Sequence, residues 1–244
     1  MFPYIMQGDN IIIVINNNSY TINRTHIKYD RLKEAIKSGE WDTVQQLVEP
    51  RQMVLDYGQG KISIKGETIY WQGREMHNAL TRRLVKMLEE EFPVEPLVKF
   101  MENLMENPSH RAVNELYGFL ENNNLPITPD GHFLAYKKVR ADYTDCHTGT
   151  FDNSVGQIVE MERNAVDDDY NRTCSTGLHF CSQEYLKHFH GDHIMIVKVN
   201  PRDVVSVPRD YNNSKCRCCR YEVIGELGVA ADQAFTQVVQ ENSN

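Results

Sequence analysis

The chain has 244 residues, of which 41% are hydrophobic and 25% are charged, an ordinary composition for a globular protein with one large domain or two small ones. Its formal net charge of −8 argues against a broad electrostatic grip on nucleic acid, which needs clustered lysine and arginine. We expect a cytoplasmic protein, because no apolar run approaches the roughly 20 residues that span a bilayer and no secretory leader is recognisable at the start.

Residues 1–75 predict a small α+β unit. The stretches "NIIIVINN" and "SYTIN" read as two strands joined by an asparagine-rich turn. Asp30 is the expected N-cap of the helix that follows, and the apolar positions Leu32, Ala35 and Ile36 of that helix have helical spacing. The stretch "GKISIKGETIYWQG" predicts a second hairpin, since apolar and charged residues alternate on both sides of a Lys-Gly-Glu turn.

Residues 76–124 predict a helical segment. Two apolar stripes, from Leu80 to Leu88 and from Leu97 to Met105, follow the period of a helix and indicate core packing. Asn107 is the expected cap of a third helix, with Pro108 in its first turn. The short joints between these helices favour a compact antiparallel bundle.

Residues 125–232 predict a sheet-rich domain with mixed or antiparallel strands. The turn "TPDG" leads into the strand "HFLAYKKV", and a helix is expected from about Gln183 to Phe189. Further strands are expected at "QIVEM", "GLHFCS", "HIMIVKV", "DVVSV" and "CRYEVIG". Residues 233–244 form a polar tail. The predicted fold class is therefore α+β.

Several uncommon blocks in the second half of the chain occur in a characteristic order. They are "NPSHRAVNELYGFLENNNLPITPDGHFLAYKKV", "DCHTGTFDNSVGQIVEMERNAVDDD", "CSTGLHFCSQEYL" and "CRYEVIGELG". In these blocks the chain resembles the rIIB-like proteins of tailed bacteriophages and prophages, over roughly residues 76–228.

This resemblance implies a phage-encoded, non-virion accessory protein of the infected host cell. It implies a role against host exclusion or defence, carried out through an rIIA-like partner or a host factor, in the cytoplasm or at the periphery of the inner membrane. Self-association into a homo-oligomer fits the same expectation. The family supplies no catalytic residues to carry over, which favours a protein that is not an enzyme.

A second, shorter resemblance points to a different class. The stretch "TGLHFCSQEYLKHF" is similar to a strand and helix of ADP-ribosyltransferase-like folds. There, Gly177 would let the backbone approach a ligand closely, and His179 would stack on nicotinamide. The sequence departs from that pattern, because His179 replaces a tyrosine and Thr148 stands where a glycine would follow a histidine.

The same resemblance implies two further elements of an NAD site. The ribose would be bound either by His147 and Gly149 in "CHTGT" or by Tyr136 and Arg140 in "AYKKVR", and the sequence does not choose between them. Glu222 would orient a ribose hydroxyl and stabilise an oxocarbenium-like state. The alternative function is thus an NAD-using transferase or a binder of an NAD-type nucleotide. A His179 packed at a sheet edge is the competing structural interpretation.

The cysteines raise the question of zinc. On a last strand that begins near Cys216, Cys216 and Cys218 share a face. If this strand and the strand of "GLHFCS" are neighbours, the two cysteines can converge with His179 and Cys181. Their spacing is irregular compared with the paired short spacings of structural zinc sites. We therefore expect no zinc, and we expect buried thiols.

Two groups of carboxylates are candidates for chemistry. The stretch "VDDD" from Val166 to Asp169 could bind a hard cation. However, adjacent carboxylates point in different directions, so a solvated turn is the better interpretation. Asp152 lies near His147 in the sequence and could serve it in acid–base chemistry, or it could cap a turn with its side chain.

Overall fold

The computed structural model describes residues 1–26, 28–65, 68–76, 94–123, 125–209 and 214–228. The chain divides into two compact units, one over Met1–Glu75 and one from Glu95 onward. Both helices and antiparallel sheets are present, which confirms the predicted α+β class. The finer boundaries at residues 125 and 233 stay predictions. Within the described ranges, no helix is long and apolar enough to cross a membrane.

The N-terminal unit contains two small antiparallel sheets and three helices. The first sheet has the order β1-β2-β3 and the second has the order β4-β5-β6. The strands are β1 (Tyr4–Gln7), β2 (Asn10–Ile15), β3 (Asn18–Asn23), β4 (Ile62–Lys65), β5 (Thr68–Trp71) and β6 (Arg74–Glu75). The helices are α1 (Tyr29–Ser38), α2 (Trp41–Val48) and α3 (Pro50–Tyr57).

Period-two alternation on β2 builds the core of this unit. Ile11, Ile13 and Ile15 are fully buried and pack with the apolar face of α1 and α2. The predicted hairpin of β2 and β3 is confirmed. Its turn places Asn16 and Asn17 at φ 50° and 64°, which suits the tight turns that asparagine tolerates.

The N-terminal half departs from one sequence expectation and confirms another. Asp30 does not cap α1, because the helix begins at Tyr29 and Lys28 is its N-cap. Asp30 lies in the first turn, where its negative charge interacts favourably with the helix dipole. The second hairpin is confirmed as β4 and β5, with its turn at residues 66–67 outside the described residues. The stripe from Leu80 to Leu88 also lies outside the described residues.

The C-terminal unit begins with two helices and continues with seven strands. The helices are α4 (Val94–Met105) and α5 (His110–Asn122). The strands are β7 (Phe133–Val139), β8 (Ile158–Glu160), β9 (Leu178–Cys181), β10 (His193–Val199), β11 (Val204–Ser206), β12 (Lys215–Cys218) and β13 (Arg220–Glu226). Short 3-10 helices lie at Arg163–Ala165, Gln183–His188 and Pro201–Asp203.

The helices bury the predicted apolar stripe but are not capped as expected. Leu97, Phe100, Met101 and Leu104 of the second stripe are buried. The N-cap of α5 is Ser109, whose hydroxyl accepts from Ala112 N, so the prediction that Asn107 caps the helix is wrong.

Asn107 connects the start of α5 to the sheet. Its amide nitrogen donates to Pro201 O at 2.9 Å and to Val204 O at 2.8 Å, while its oxygen accepts from Ser109 N. A buried amide with all of these partners fixes the helix start against β11.

The seven strands form one antiparallel sheet in the order β11-β12-β9-β7-β10-β13-β8. Cys218 ends β12 and Arg220 begins β13, although β9, β7 and β10 lie between these two strands. Two residues of chain span at most about 7 Å. The sheet must therefore curl until the ends of β12 and β13 approach each other, as in a barrel.

The predicted strand "CRYEVIG" is confirmed as β13, which begins at Arg220, and Cys219 separates it from β12. Cys219 N donates to Asp203 O, and Met161 N donates to Cys219 O. Before this residue the chain pairs with β9 and β11, and after it the chain pairs with β10 and β8. The rings of Phe119 on α5, Phe133 on β7 and Phe180 on β9 are fully buried and pack with centroids 5.7 to 6.1 Å apart, so this helix packs against the sheet.

Candidate functional site

A cleft of about 230 Å³ opens on the C-terminal unit between the loops at residues 145–151 and 173–177. The cleft lies where the neighbouring strands β7 and β9 separate. β7 and β9 pair only at Tyr136 and Cys181. Beyond this pair, Lys137 Nζ donates to the carbonyl oxygen of His179 at 2.9 Å. The side chain of Lys137 thus takes the place of a strand contact, and the cleft forms where the two strands separate.

The first loop is organised by one buried carboxylate. Asp145 is 6% exposed and accepts hydrogen bonds of 2.6 to 3.1 Å from the backbone nitrogens of His147, Thr148, Thr150 and Phe151 and from the Thr148 hydroxyl. Burial alone would raise the pKa of Asp145, but these donors outweigh it and hold the pKa far below the usual range. The carboxylate is therefore committed to its own loop.

Two predicted ligand-binding residues support this loop from outside the cleft. Gly149 has φ 69°, and a Cβ there would lie 2.5 Å from Nη1 of Arg140. Arg140 also donates from Nη2 to the carbonyl of Cys146 at 3.3 Å. The positive φ favours glycine at 149, and the Arg140 side chain packs against it and holds the loop through Cys146.

The second loop is tied to the sheet by a buried arginine. Arg217 on β12 is 0% exposed. Its guanidinium donates to the carbonyl oxygens of Asp167, Asp169 and Arg172 at 2.6 to 2.8 Å and to the Ser206 hydroxyl at 3.3 Å. Burial lowers the pKa of Arg217, and the nearby aspartates oppose that shift.

The predicted interpretation of "VDDD" as a solvated turn is therefore incomplete. The positive charge next to this segment is the side chain of Arg217, which donates hydrogen bonds to backbone carbonyl oxygens and not to the carboxylates. The carboxylate of Asp167 accepts from Ser175 and Arg172, and Asp168 pairs with Arg111 at 3.0 Å. These partners give the aspartates a structural role.

Gly177 lies where the second loop enters β9 and is constrained twice. Its φ is 150°, and a Cβ there would lie 3.0 Å from Val166 Cγ1 and 3.1 Å from Arg217 Cδ. We expect Gly177→Ala to lower the free energy of unfolding by about 1–3 kcal/mol, through backbone strain and overpacking. Thermal unfolding followed by circular dichroism measures it.

Gly156→Ala is the matched control for this variant. Gly156 has φ 92°, and the space that an added methyl group would occupy is open, so it carries only the backbone cost. A loss at Gly177→Ala no larger than at Gly156→Ala would show that packing against Arg217 contributes nothing.

His179 presents an unpaired nitrogen to the cleft. Its Nε2 is buried and has no hydrogen-bond partner within the described residues. Burial lowers the pKa of His179 to about 3, and the charges of Lys137, Arg217 and Lys215 act in the same direction. The imidazole is therefore neutral at pH 7, in a region of positive potential.

The structure brings together three of the predicted site residues. His147, Gly177 and His179 line the cleft. Glu222 does not join them. It lies beside Asp130 and His132 in a separate cavity of about 160 Å³. Its neighbour Tyr221 on β13 lines both cavities, and strand alternation turns the Glu222 side chain away from the cleft.

Two other residues that the sequence suggested for ligand binding, Tyr136 and Asp152, have contacts that support the fold. Tyr136 is 2% exposed and packs in an apolar cluster with Cys181, Tyr185 and Leu186. Asp152 accepts from Ser154 N at 2.9 Å and from its hydroxyl at 2.6 Å, which is the turn-capping arrangement that the sequence left open for this residue.

The predicted convergence of cysteines is wrong because of the strand register. β9 and β12 are neighbours, but Cys216 pairs with Phe180 and Cys218 pairs with Leu178. Directly paired residues share a face, so these thiols point away from His179 and Cys181. Burial raises the pKa of Cys181 to about 12. Among the described residues, no group of three or more histidine, cysteine or carboxylate side chains could hold a metal ion.

Several cleft residues were not predicted from the sequence. Lys137, Lys215, Tyr185 and Tyr221 line it. A lysine on each of two otherwise buried strands, in "AYKKV" and "SKCRC", was an available signal. Asp145, followed by small hydrogen-bonding residues in "DCHTGT", was another, because aspartate at such positions organises turns.

These features define an α+β protein whose curled antiparallel sheet carries a cationic, partly aromatic cleft. Residues 3–234 match the family model described as Bacteriophage T4 protein rIIB. The chain is 40% identical over 220 residues to Protein rIIB of Enterobacteria phage T4, an alignment that covers 89% of this chain and 70% of that protein.

The chain therefore belongs to the rIIB family of phage proteins. This confirms the resemblance seen in the sequence over roughly residues 76–228 and extends it towards the start of the chain, to residue 3. No solved structure matches the chain, and the likeness to ADP-ribosyltransferase folds stays a prediction.

Proposed function

We propose that the chain acts in the infected host cell as a non-virion accessory factor that counters host exclusion or defence by binding protein partners. Family membership supports this role, and an rIIA-like protein or a host factor is the partner that the family implies. Peripheral association with the inner membrane is part of the proposal.

An exposed apolar patch on the C-terminal unit supports a protein partner. β8 is the last strand of the sheet, so one of its edges has no strand beside it among the described residues. Val155, Ile158 and Ile224, on or beside β8 and β13, are 56%, 52% and 38% exposed. Apolar side chains at an open strand edge suit docking of another chain.

Complementation tests this role. A phage that lacks the reading frame should plate at least about 100-fold less efficiently on an excluding host than on a permissive one, and the wild-type gene should restore plating. The double variant Ile158→Lys/Ile224→Lys should fold but fail to restore it, because two buried charges would oppose an apolar interface.

Gln157→Lys is the control, because it adds a charge at an exposed polar position beside the patch. Co-purification of the wild-type chain with an rIIA-like protein, and its loss in the double variant, would identify the surface. Equal plating of the deletion phage on both hosts would contradict the role. Full complementation by the double variant would contradict the patch.

The second candidate is a binder of an NAD-type nucleotide. The specific observation in its favour is the meeting of His147, Gly177 and His179 in one cleft. The position of Glu222 in another cavity removes the carboxylate that transfer would need, so binding is favoured over catalysis. Binding of NAD to the purified chain, without release of nicotinamide, is the expected result.

A further inference from the structure

The size of the cleft restricts what it can hold. Pockets for drug-sized ligands are typically about 300–1,000 Å³, and this cleft measures about 230 Å³. That space suits one ring system with one charged group, and a dinucleotide would extend well outside it.

The charge of the cleft favours an anion. Lys137, Lys138 and Lys215 line it against one carboxylate, Asp145, which gives a formal charge of +2 in a chain of net charge −8. The Asp145 oxygens are occupied by their own loop. Lys137 and Lys138 donate to main-chain carbonyls, of His179 at 2.9 Å and Phe189 at 3.2 Å. These partners are neutral. Burial lowers the pKa of Lys137 while Asp145 opposes that shift, and an anion placed in the cleft would favour the charged form of the lysine in the same way.

The walls of the cleft suit a flat ring. Tyr185 and Phe189 meet edge to face with centroids 5.0 Å apart, and both line the cleft. Lys215 is 1% exposed, and its Nζ lies 5.5 Å from the centre of the Tyr185 ring. An aromatic surface therefore adjoins a buried ammonium group, and aromatic surfaces of this kind stack well on heterocycles.

His179 supplies a polar contact that the protein leaves open. A buried nitrogen without a hydrogen-bond partner is unfavourable, because it has lost its water without a replacement. A ligand that hydrogen-bonds Nε2 recovers that cost. The neutral imidazole can either donate or accept there.

We propose that the cleft binds a small phosphate monoester that carries one flat ring, of the size of a mononucleotide. The phosphate lies by the lysines, the ring packs on Tyr185 and Phe189, and His179 Nε2 makes a hydrogen bond to the ligand. This inference rests on the nucleotide-binding candidate above and narrows it, and it is independent of the protein-partner role.

Calorimetry on the full chain tests the inference with five probes: adenosine monophosphate, nicotinamide mononucleotide, NAD, adenosine and inorganic phosphate. At least one mononucleotide should bind with a micromolar dissociation constant, at least 10-fold more tightly than NAD, adenosine or phosphate. Binding should also shift the ring-nitrogen resonance of His179.

His179→Gln and Lys137→Met should each weaken mononucleotide binding at least 10-fold. His132→Gln is the matched control, since His132 is a half-buried histidine in the other cavity and should leave binding unchanged. Circular dichroism establishes that each variant is folded, and the wild-type result stands even if one variant is not.

Absence of binding to both mononucleotides at millimolar concentration would overturn the inference and leave a water-filled cavity. NAD binding as tight as mononucleotide binding would overturn the size argument and return the site to the dinucleotide candidate. Binding lost in His132→Gln but kept in His179→Gln would place the ligand in the other cavity. None of these results would alter the outcome of the plating experiment.

Discussion

Arg217→Met is expected to lower the free energy of unfolding of the C-terminal unit by about 2–4 kcal/mol. The guanidinium is fully buried and donates to three main-chain carbonyls and one hydroxyl. Methionine fills much of the volume but donates nothing, so these oxygens lose their partners together. Arg217→Lys should lose less, because an ammonium keeps the charge but cannot reproduce the planar fork.

Tryptophan fluorescence distinguishes the N-terminal unit from the rest of the chain in this measurement. Both tryptophans of the chain, Trp41 and Trp71, lie in the N-terminal unit. Tryptophan fluorescence in denaturant therefore follows the unfolding of the N-terminal unit, and the circular dichroism transition of Arg217→Met should move to lower denaturant.

Arg202→Met is the matched surface control. The Arg202 side chain is 45% exposed and pairs with Glu106 and Asp203, contacts that typically contribute less than about 1 kcal/mol. A loss at Arg217→Met no larger than at Arg202→Met would contradict the importance of the carbonyl cage.

Asp145→Asn is expected to destabilise the C-terminal unit by about 2–3 kcal/mol at pH 7. The native pKa lies far below the value of about 3.9 in an unfolded chain. A depressed pKa of this kind stabilises the fold fully above the unfolded pKa, and the stabilisation is lost as the pH falls towards the folded pKa. The difference between wild type and variant should thus be constant from pH 7 to 5 and shrink below about pH 4.

Denaturant unfolding at a series of pH values measures this difference. Asp152→Asn is the control, because Asp152 is exposed and holds only a local turn through Ser154. A gap between wild type and Asp145→Asn that stays constant down to pH 3 would contradict the linkage to the Asp145 carboxylate.

The secondary structure of this chain could be read from its residues to a large extent. The alternation in "NIIIVI" and "HIMIVKV" produced the strands β2 and β10, because period-two burial is a local property. The stripe on α4 was equally clear. The helix caps were harder to predict. The amide of Asn107 donates to two carbonyl oxygens that are distant in the sequence, and no local sequence pattern indicates such partners.

The site was harder to predict because it depends on the register and curl of the sheet. A shift of β13 by one residue would exchange the directions of residues 221 and 222. The interruption at Cys219 sets which of the two faces the cleft. The same register separates Cys216 from His179. Gly177 and His179 could be singled out, since a glycine before a strand and a histidine within it stand out against the sequence pattern.

The exposed cysteine thiols of the described residues lie at the cleft, so thiol reagents can label it selectively. Of the six cysteines, Cys181, Cys216, Cys218 and Cys219 are buried, whereas Cys146 and Cys174 are exposed and both line the cleft. The four enclosed thiols are shielded from solvent, so alkylating reagents and oxidants reach the native protein at Cys146 and Cys174 first. A fluorescent maleimide would therefore label the proposed ligand site without any engineered residue, and the rate of labelling would measure its occupancy.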